Sequence, residues 1–185
     1  MKRFAAFIYH NLLGWKMIGD FNADSVKKCV IVVVPHTSWH DFYIGLLIRK
    51  LANIKISFLA KKELFKWPLG WYMRKVGGIS LDRTSGQNKV EAIAELFHKR
   101  NELRLALAPE GTRKKVEDWK TGFYHIAKTA EVPIIMVTFD FGKKQNLISA
   151  PFYPSNDIEK DLKFMYDFFK DVKGKIAENS FQPKN

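Results

Sequence analysis

His36 and Asp41 stand five residues apart, just where a run of β-branched residues, Val32 to Val34, ends at Pro35. A strand that stops there and a helix that starts beyond it must be joined by a sharp bend, which can bring the two side chains together. A carboxylate accepting from one imidazole nitrogen fixes the tautomer and leaves the other nitrogen free to take a proton, the work of a general base. An imidazole beside an acid is also a common structural contact, and spacing alone does not choose between the two. His40 is a rival base, but it adjoins Asp41, and consecutive residues entering a helix point to different sides.

Two further stretches carry groups suited to an anion. In "APEGTRKK", Glu110, Gly111, Thr112 and Arg113 form a tight turn after an apolar run. Arg113 can fork two donors onto a phosphate, Glu110 can orient that arginine or a substrate hydroxyl, and the Thr112 hydroxyl can shape the turn. An ordinary turn with a surface ion pair is the alternative. In "KVGGISLDRTS", Gly77 and Gly78 permit close backbone approach, and Arg83 offers a second guanidinium. His10, His98 and His125 lie on expected helices without a partner at a telling spacing. The histidines share no facing pattern with carboxylates or thiolates, so no metal site is expected.

The elements that must position these groups follow from hydrophobic periodicity. Cys29 to Pro35 is apolar without alternation, the mark of a strand covered on both faces. Helical patterns over 40–53, 87–100 and 122–130 alternate with strand patterns over 55–60, 78–81, 103–109 and 133–141, and a helix over 157–176 closes the chain. In the helix over 87–100, Val90, Ile93, Ala94 and Phe97 face inward, and Asn156 with Glu159 has capping-box spacing. This alternation predicts α/β architecture: one layered domain over 1–185, with a mixed, mostly parallel sheet flanked by helices. Ligands in such sheets bind beyond the carboxyl ends of strands, where His36, Arg83 and the turn from Glu110 to Arg113 all fall.

Taken in order, the H-x4-D element of His36 and Asp41, the glycine-led strand "GGISLDR", "PEGTR" and "VPIIMV" resemble the four blocks of the glycerolipid acyltransferase superfamily, nearest the lysophosphatidate type. The resemblance runs from about Val30 to Val137. It departs from the common pattern at Pro35, where asparagine is usual, and at Met136, where proline is usual. The resemblance implies that His36 is the base with Asp41 behind it, and that Arg83, Glu110, Gly111 and Arg113 form the pocket for a phosphorylated acceptor. It further implies a lysophospholipid acceptor and a thioester donor, acyl-CoA or acyl carrier protein, with no cofactor. Lys120 in "WKTGF" matches a lysine that often follows the third block in relatives; it adds charge to the phosphate pocket or is an exposed lysine at a helix start.

The whole chain constrains the setting. Its 185 residues suffice for one core, and a formal net charge of +12 attracts polyanions. One cysteine, Cys29, excludes a disulfide framework and favours the cytoplasm. Residues 1–20 read as an amphipathic helix with Phe4, Ile8, Leu12 and Trp15 on one stripe, flanked by Lys2, Arg3 and Lys16, suited either to lying on a membrane or to packing on its own domain. The stretch from Lys61 to Gly78 interleaves Trp67 and Trp71 with lysines and arginine, which suits an anionic membrane surface; a buried cluster with lysines reaching outward is the alternative. Peripheral association with the inner face of the cytoplasmic membrane is therefore expected. A nucleic-acid module ranks below this, because no nucleic-acid motif accompanies the charge. An acyltransferase for a lyso-aminolipid acceptor stays open.

Overall fold

The apolar run beginning at Cys29 lies inside a five-stranded parallel sheet in the computed structural model, which describes residues 2–81 and 89–183. The strands are β2 (Lys28–Val34), β3 (Ser57–Lys61), β4 (Gly78–Leu81), β5 (Leu103–Leu107) and β6 (Ile134–Thr138), in spatial order β4-β3-β5-β2-β6. Two short strands, β1 (Lys16–Ile18) and β7 (Gln145–Leu147), pair in parallel as a separate ribbon. Isolated antiparallel bridges such as Ile134 to Phe152 and Val137 to Ile148 attach the returning chain to β6. The helices are α1 (Lys2–Ala6), α2 (His40–Leu51), α3 (Leu69–Lys75), α4 (Lys89–Lys99), α5 (Gly122–Thr129) and α6 (Ile158–Phe169).

Alternate residues of the central strands feed two cores, as the two-residue period of a strand requires. Val30, Val32, Val34, Ile134 and Met136 meet Phe97 of α4, Phe123 and Tyr124 of α5, and Met165 and Phe169 of α6. Cys29, Ile31, Ile135 and Val137 face the other way, onto Ile44 and Ile48 of α2 and Tyr9. Burial on both faces explains why β2 shows no polar alternation. It also pushes the Cys29 thiol up to about 12, making it an inert filler.

The order of strands also creates the crevice. β2 and β5 are neighbours, with Val32 opposite Leu107. From the end of β2 the chain passes through α2 to β3 on one side of this pair; from the end of β5 it passes through α5 to β6 on the other. The two loops must diverge, opening a cleft at the topological switch point where open α/β sheets bind ligands. His36 lies in the first loop and Glu110 to Arg113 in the second.

The N-terminus corrects the expectation of one helix over residues 1–20. α1 passes into a π-helical turn (Phe7–Leu12), Gly14 takes a left-handed φ of 70°, and Lys16 already begins β1. Tyr9 turns inward because its hydroxyl finds buried partners, donating to Asn146 Oδ1 at 2.7 Å. Trp15 follows it inside, 4% exposed and edge-on to Phe141. The i→i+5 winding shifts the facing of every later residue, and a 3.6-residue stripe cannot anticipate that.

The remaining differences are smaller. The α6 cap is Asp157, whose carboxylate accepts the Lys160 N–H at 3.0 Å, one residue beyond the expected Asn156. α6 stops at Phe169, and the chain continues as an irregular segment over the strand ends. β1, β7 and α3 were not legible, being three to seven residues long.

Candidate active site

The loop after β2 leaves through a cis Val34–Pro35 bond and folds back onto the start of α2. Asp41, in the first helical turn, is buried, and a single oxygen, Oδ2, accepts three hydrogen bonds: from His36 Nδ1 at 2.9 Å and from the Thr37 and Ser38 backbone N–H groups at 3.0 Å each. The two amides belong to the residues that follow the histidine, so the same bend, residues 36–41, supplies the acid, the imidazole and the donors that orient the acid.

On the far side of the ring, Arg113 Nε lies 3.4 Å from His36 Nε2. A guanidinium can only donate. With a carboxylate at Nδ1 and a guanidinium at Nε2, the imidazole carries its proton on Nδ1 and presents a lone pair at Nε2, the arrangement a proton acceptor needs. His40, the rival, shares its Nδ1 with the Ser38 hydroxyl at 2.8 Å and stacks against Trp39. It has no carboxylate behind it among its described contacts.

Glu110 lies beneath the site rather than in its opening. It is 3% exposed, and its Oε2 accepts the His36 backbone N–H at 2.7 Å, tying the loop after β5 to the loop after β2. That corrects the expectation that it orients an arginine or a substrate hydroxyl. Burial pushes its carboxyl up to about 7; the His36 N–H partly counters this, and the Asp41 charge adds to it.

Gly111 turns the chain with φ of 66°, and a Cβ there would come within 2.9 Å of Lys120 Nζ. Lys120 is thus laid against the turn, its backbone N–H donating to Pro109 O at 2.9 Å. Thr112 shapes the turn, its hydroxyl accepting the Lys114 N–H at 3.3 Å. Among the sequence-derived site residues, the structure therefore brings together His36, Asp41, Glu110, Gly111, Thr112, Arg113 and Lys120; Arg83 lies outside the described residues. Among the described residues no group of His, Cys, Asp and Glu could hold a metal ion.

The residues expected to meet a membrane divide. Phe4, Leu12, Trp67 and Trp71 are exposed, Trp67 at 93%, while Ile8 is half-buried. Trp15 is inside the fold and drops out. Trp39, exposed on the His36 loop itself, was missed; its signal was a large apolar ring in an otherwise polar bend.

A family model described as Acyltransferase matches residues 18–140. The 1-acyl-sn-glycerol-3-phosphate acyltransferase of Saccharomyces cerevisiae is 29% identical over 130 residues, 66% of this chain and 41% of that protein. The lyso-ornithine lipid O-acyltransferase of Pseudomonas aeruginosa is 33% identical over 104 residues, 54% of this chain and 37% of that one. The matches thus span about two-fifths of these relatives' length. The crystal structure of the 1-acyl-sn-glycerophosphate (LPA) acyltransferase PlsC from Thermotoga maritima superposes with a TM-score of 0.63 over 90% of this chain and 74% of that chain; at 22% identity the likeness is one of fold.

Proposed function

This chain belongs to the acyltransferase family, and from that premise we propose that it moves a fatty acyl group from a thioester to the hydroxyl of a lysophospholipid, with His36 as base. The observation that carries the reading is the imidazole held at Nδ1 by Asp41 with Nε2 turned to Arg113. His36 Nε2 takes the proton of the acceptor hydroxyl as its oxygen attacks the thioester carbonyl carbon. The tetrahedral intermediate collapses, the carbon–sulfur bond breaks, and the thiolate leaves. The proton on Nε2 passes to the sulfur, restoring the base and releasing a free thiol. A thiolate is a good leaving group, so the demand on the base falls in the attack step.

Arg113 has two partners in this scheme. It lies on His36 Nε2, and a phosphorylated acceptor draws it off as its hydroxyl takes the same place. Lys120, laid against Gly111, adds a second cation. These cations favour 1-acyl-glycerol-3-phosphate as acceptor and phosphatidate as product. The likeness to a lyso-ornithine lipid enzyme supports a lyso-aminolipid as the second reading.

No helix among the described residues is long and apolar enough to cross a membrane. We place the enzyme on the membrane surface, at the inner face of the cytoplasmic membrane, through exposed Trp67, Leu69 and Trp71, in the same stretch of chain that lines a cavity of about 620 Å³ with Lys62, Glu63, Phe65, Lys66 and Arg74. Rings at headgroup depth with cations beside them suit anionic lipid, each cation contributing about 1 kcal/mol.

The test is thiol release by the purified protein from acyl-CoA and from acyl carrier protein, with lysophosphatidate or lyso-ornithine lipid as acceptor. Acceptor-dependent release favouring lysophosphatidate supports the first reading, preference for the ornithine lipid supports the second, and no release with either overturns both.

A further inference from the structure

The C-terminal segment beyond α6 crosses the rim of the sheet and lies against the loop that carries His36. Its course is fixed at several points. The Phe141 N–H donates to Lys173 O at 2.8 Å, beside the end of β6. The Gly174 N–H donates to the hydroxyl of buried Ser180 at 2.9 Å, across a 3-10 turn over Ala177–Asn179. Phe181 is buried against Trp119 and Tyr166, with ring centres 4.9 and 5.1 Å apart. Residues 173–181 lie outside the 18–140 segment that the family model matches.

Between those anchors the segment grips Thr37. The Ile176 N–H donates to Thr37 Oγ1 at 3.2 Å. The Gly174 backbone is flush with the same side chain, since a Cβ there would fall 2.6 Å from both Thr37 Cγ2 and Oγ1 and 3.1 Å from Pro35 Cγ. Only glycine permits that approach. Thr37 is buried, so its hydroxyl needs the partner that the segment supplies.

We infer that Thr37 is a positioning residue, clamped by the Gly174–Ile176 backbone so that its own amide stays aimed at Asp41 Oδ2 and holds the His36 imidazole in register. The chain of contacts is continuous: Ile176 N–H to Thr37 hydroxyl, Thr37 N–H to Asp41, Asp41 to His36 Nδ1. One face of Thr37 is held by a segment more than 130 residues away in sequence, the other by the carboxylate that sets the tautomer. Releasing the clamp lets the bend between Pro35 and Asp41 relax, and displacement of a reacting group by about 1 Å costs on the order of a hundredfold in rate. As a statement about transfer this rests on the acyltransferase reading; as a statement about the imidazole it does not.

The test compares Thr37→Val, which keeps the bulk and loses the acceptor, with Thr37→Ser, which keeps the hydroxyl. Two readouts are taken on the full chain: acyl-transfer kinetics, and the tautomer of His36 by nitrogen NMR. The charged groups in contact with this histidine are Asp41 at Nδ1, Arg113 at Nε2 and Glu110 at the backbone N–H. The expected result for Thr37→Val is a kcat loss on the order of tenfold to a hundredfold with both KM values nearly unchanged, and a weaker preference for Nδ1–H. Thr37→Ser should restore both. Gly174→Ala approaches from the crossing segment and should reproduce the Thr37→Val pattern, which keeps the test decisive if Thr37→Val does not fold. An unchanged His36 tautomer in a folded Thr37→Val or Gly174→Ala protein overturns the inference, even if kcat falls. A wild type that transfers no acyl group while the variants still shift the imidazole would instead overturn the acyltransferase reading and leave the clamp standing.

Discussion

Arg113 Nε sits 3.4 Å from His36 Nε2, so the guanidinium occupies the position that an acceptor hydroxyl must take. If its second duty is to grip the acceptor phosphate, its loss weakens acceptor binding far more than donor binding. Arg113→Ala should raise KM for lysophosphatidate by roughly tenfold or more, as expected for removal of a charge-assisted contact, with donor KM within about twofold. Arg113→Lys should recover only part of this, because an ammonium lacks the planar fork. Equal effects on both substrates, measured in initial-rate series, would make the arginine structural.

Glu110 links folding stability to pH. Its folded value of about 7 lies above the ordinary 4.5, so burial disfavours the charged form in the fold. The stabilisation from the neutral carboxyl is fully present below about pH 4.5 and is lost as pH rises through about 7. A shift of this size in a buried group corresponds to roughly 3 kcal/mol. Glu110→Gln, which can still accept the His36 N–H, should flatten the decline of denaturant midpoint between these pH values. An unchanged slope would contradict the assignment.

Gly111 is required by conformation. At φ of 66°, and with Lys120 Nζ 2.9 Å from where a Cβ would stand, alanine meets both a backbone penalty of about 1 kcal/mol and a displaced lysine. Gly111→Ala should lower the melting temperature modestly and acyl transfer strongly, since the turn that presents Arg113 is distorted. A variant with wild-type kcat/KM would show that the turn tolerates the change.

Membrane docking through the exposed rings predicts that the double substitution Trp67→Ala, Trp71→Ala loses most binding to vesicles containing anionic lipid. Turnover of a short-chain, water-soluble acceptor should stay near the wild-type value. Sedimentation with vesicles of zero and thirty per cent anionic lipid, the latter on the order of physiological leaflets, separates the apolar from the charge contribution. Unchanged sedimentation removes these rings from the docking face.

The parallel sheet and the site loops were legible because their signals are local: unbroken apolar runs for strands buried on both faces, and His36, Asp41 and Glu110–Arg113 at the strand ends. What escaped depends on partners far along the chain. Tyr9 and Trp15 turn inward because Asn146 and Phe141 are there to meet them, and no periodicity within residues 2–18 encodes that. Glu110 reads as a surface acid until β2 and β5 prove adjacent and its carboxylate meets the His36 N–H. Thr37 looks like a spacer in the motif, and only the crossing of the C-terminal segment gives its hydroxyl a partner.

The most direct measurement is acyl transfer by His36→Ala, beside its melting curve and its vesicle binding. Loss of a general base predicts a fall in kcat/KM of about a hundredfold to ten-thousandfold while folding and membrane association persist. A folded His36→Ala protein that turns over at nearly the wild-type rate would contradict the account.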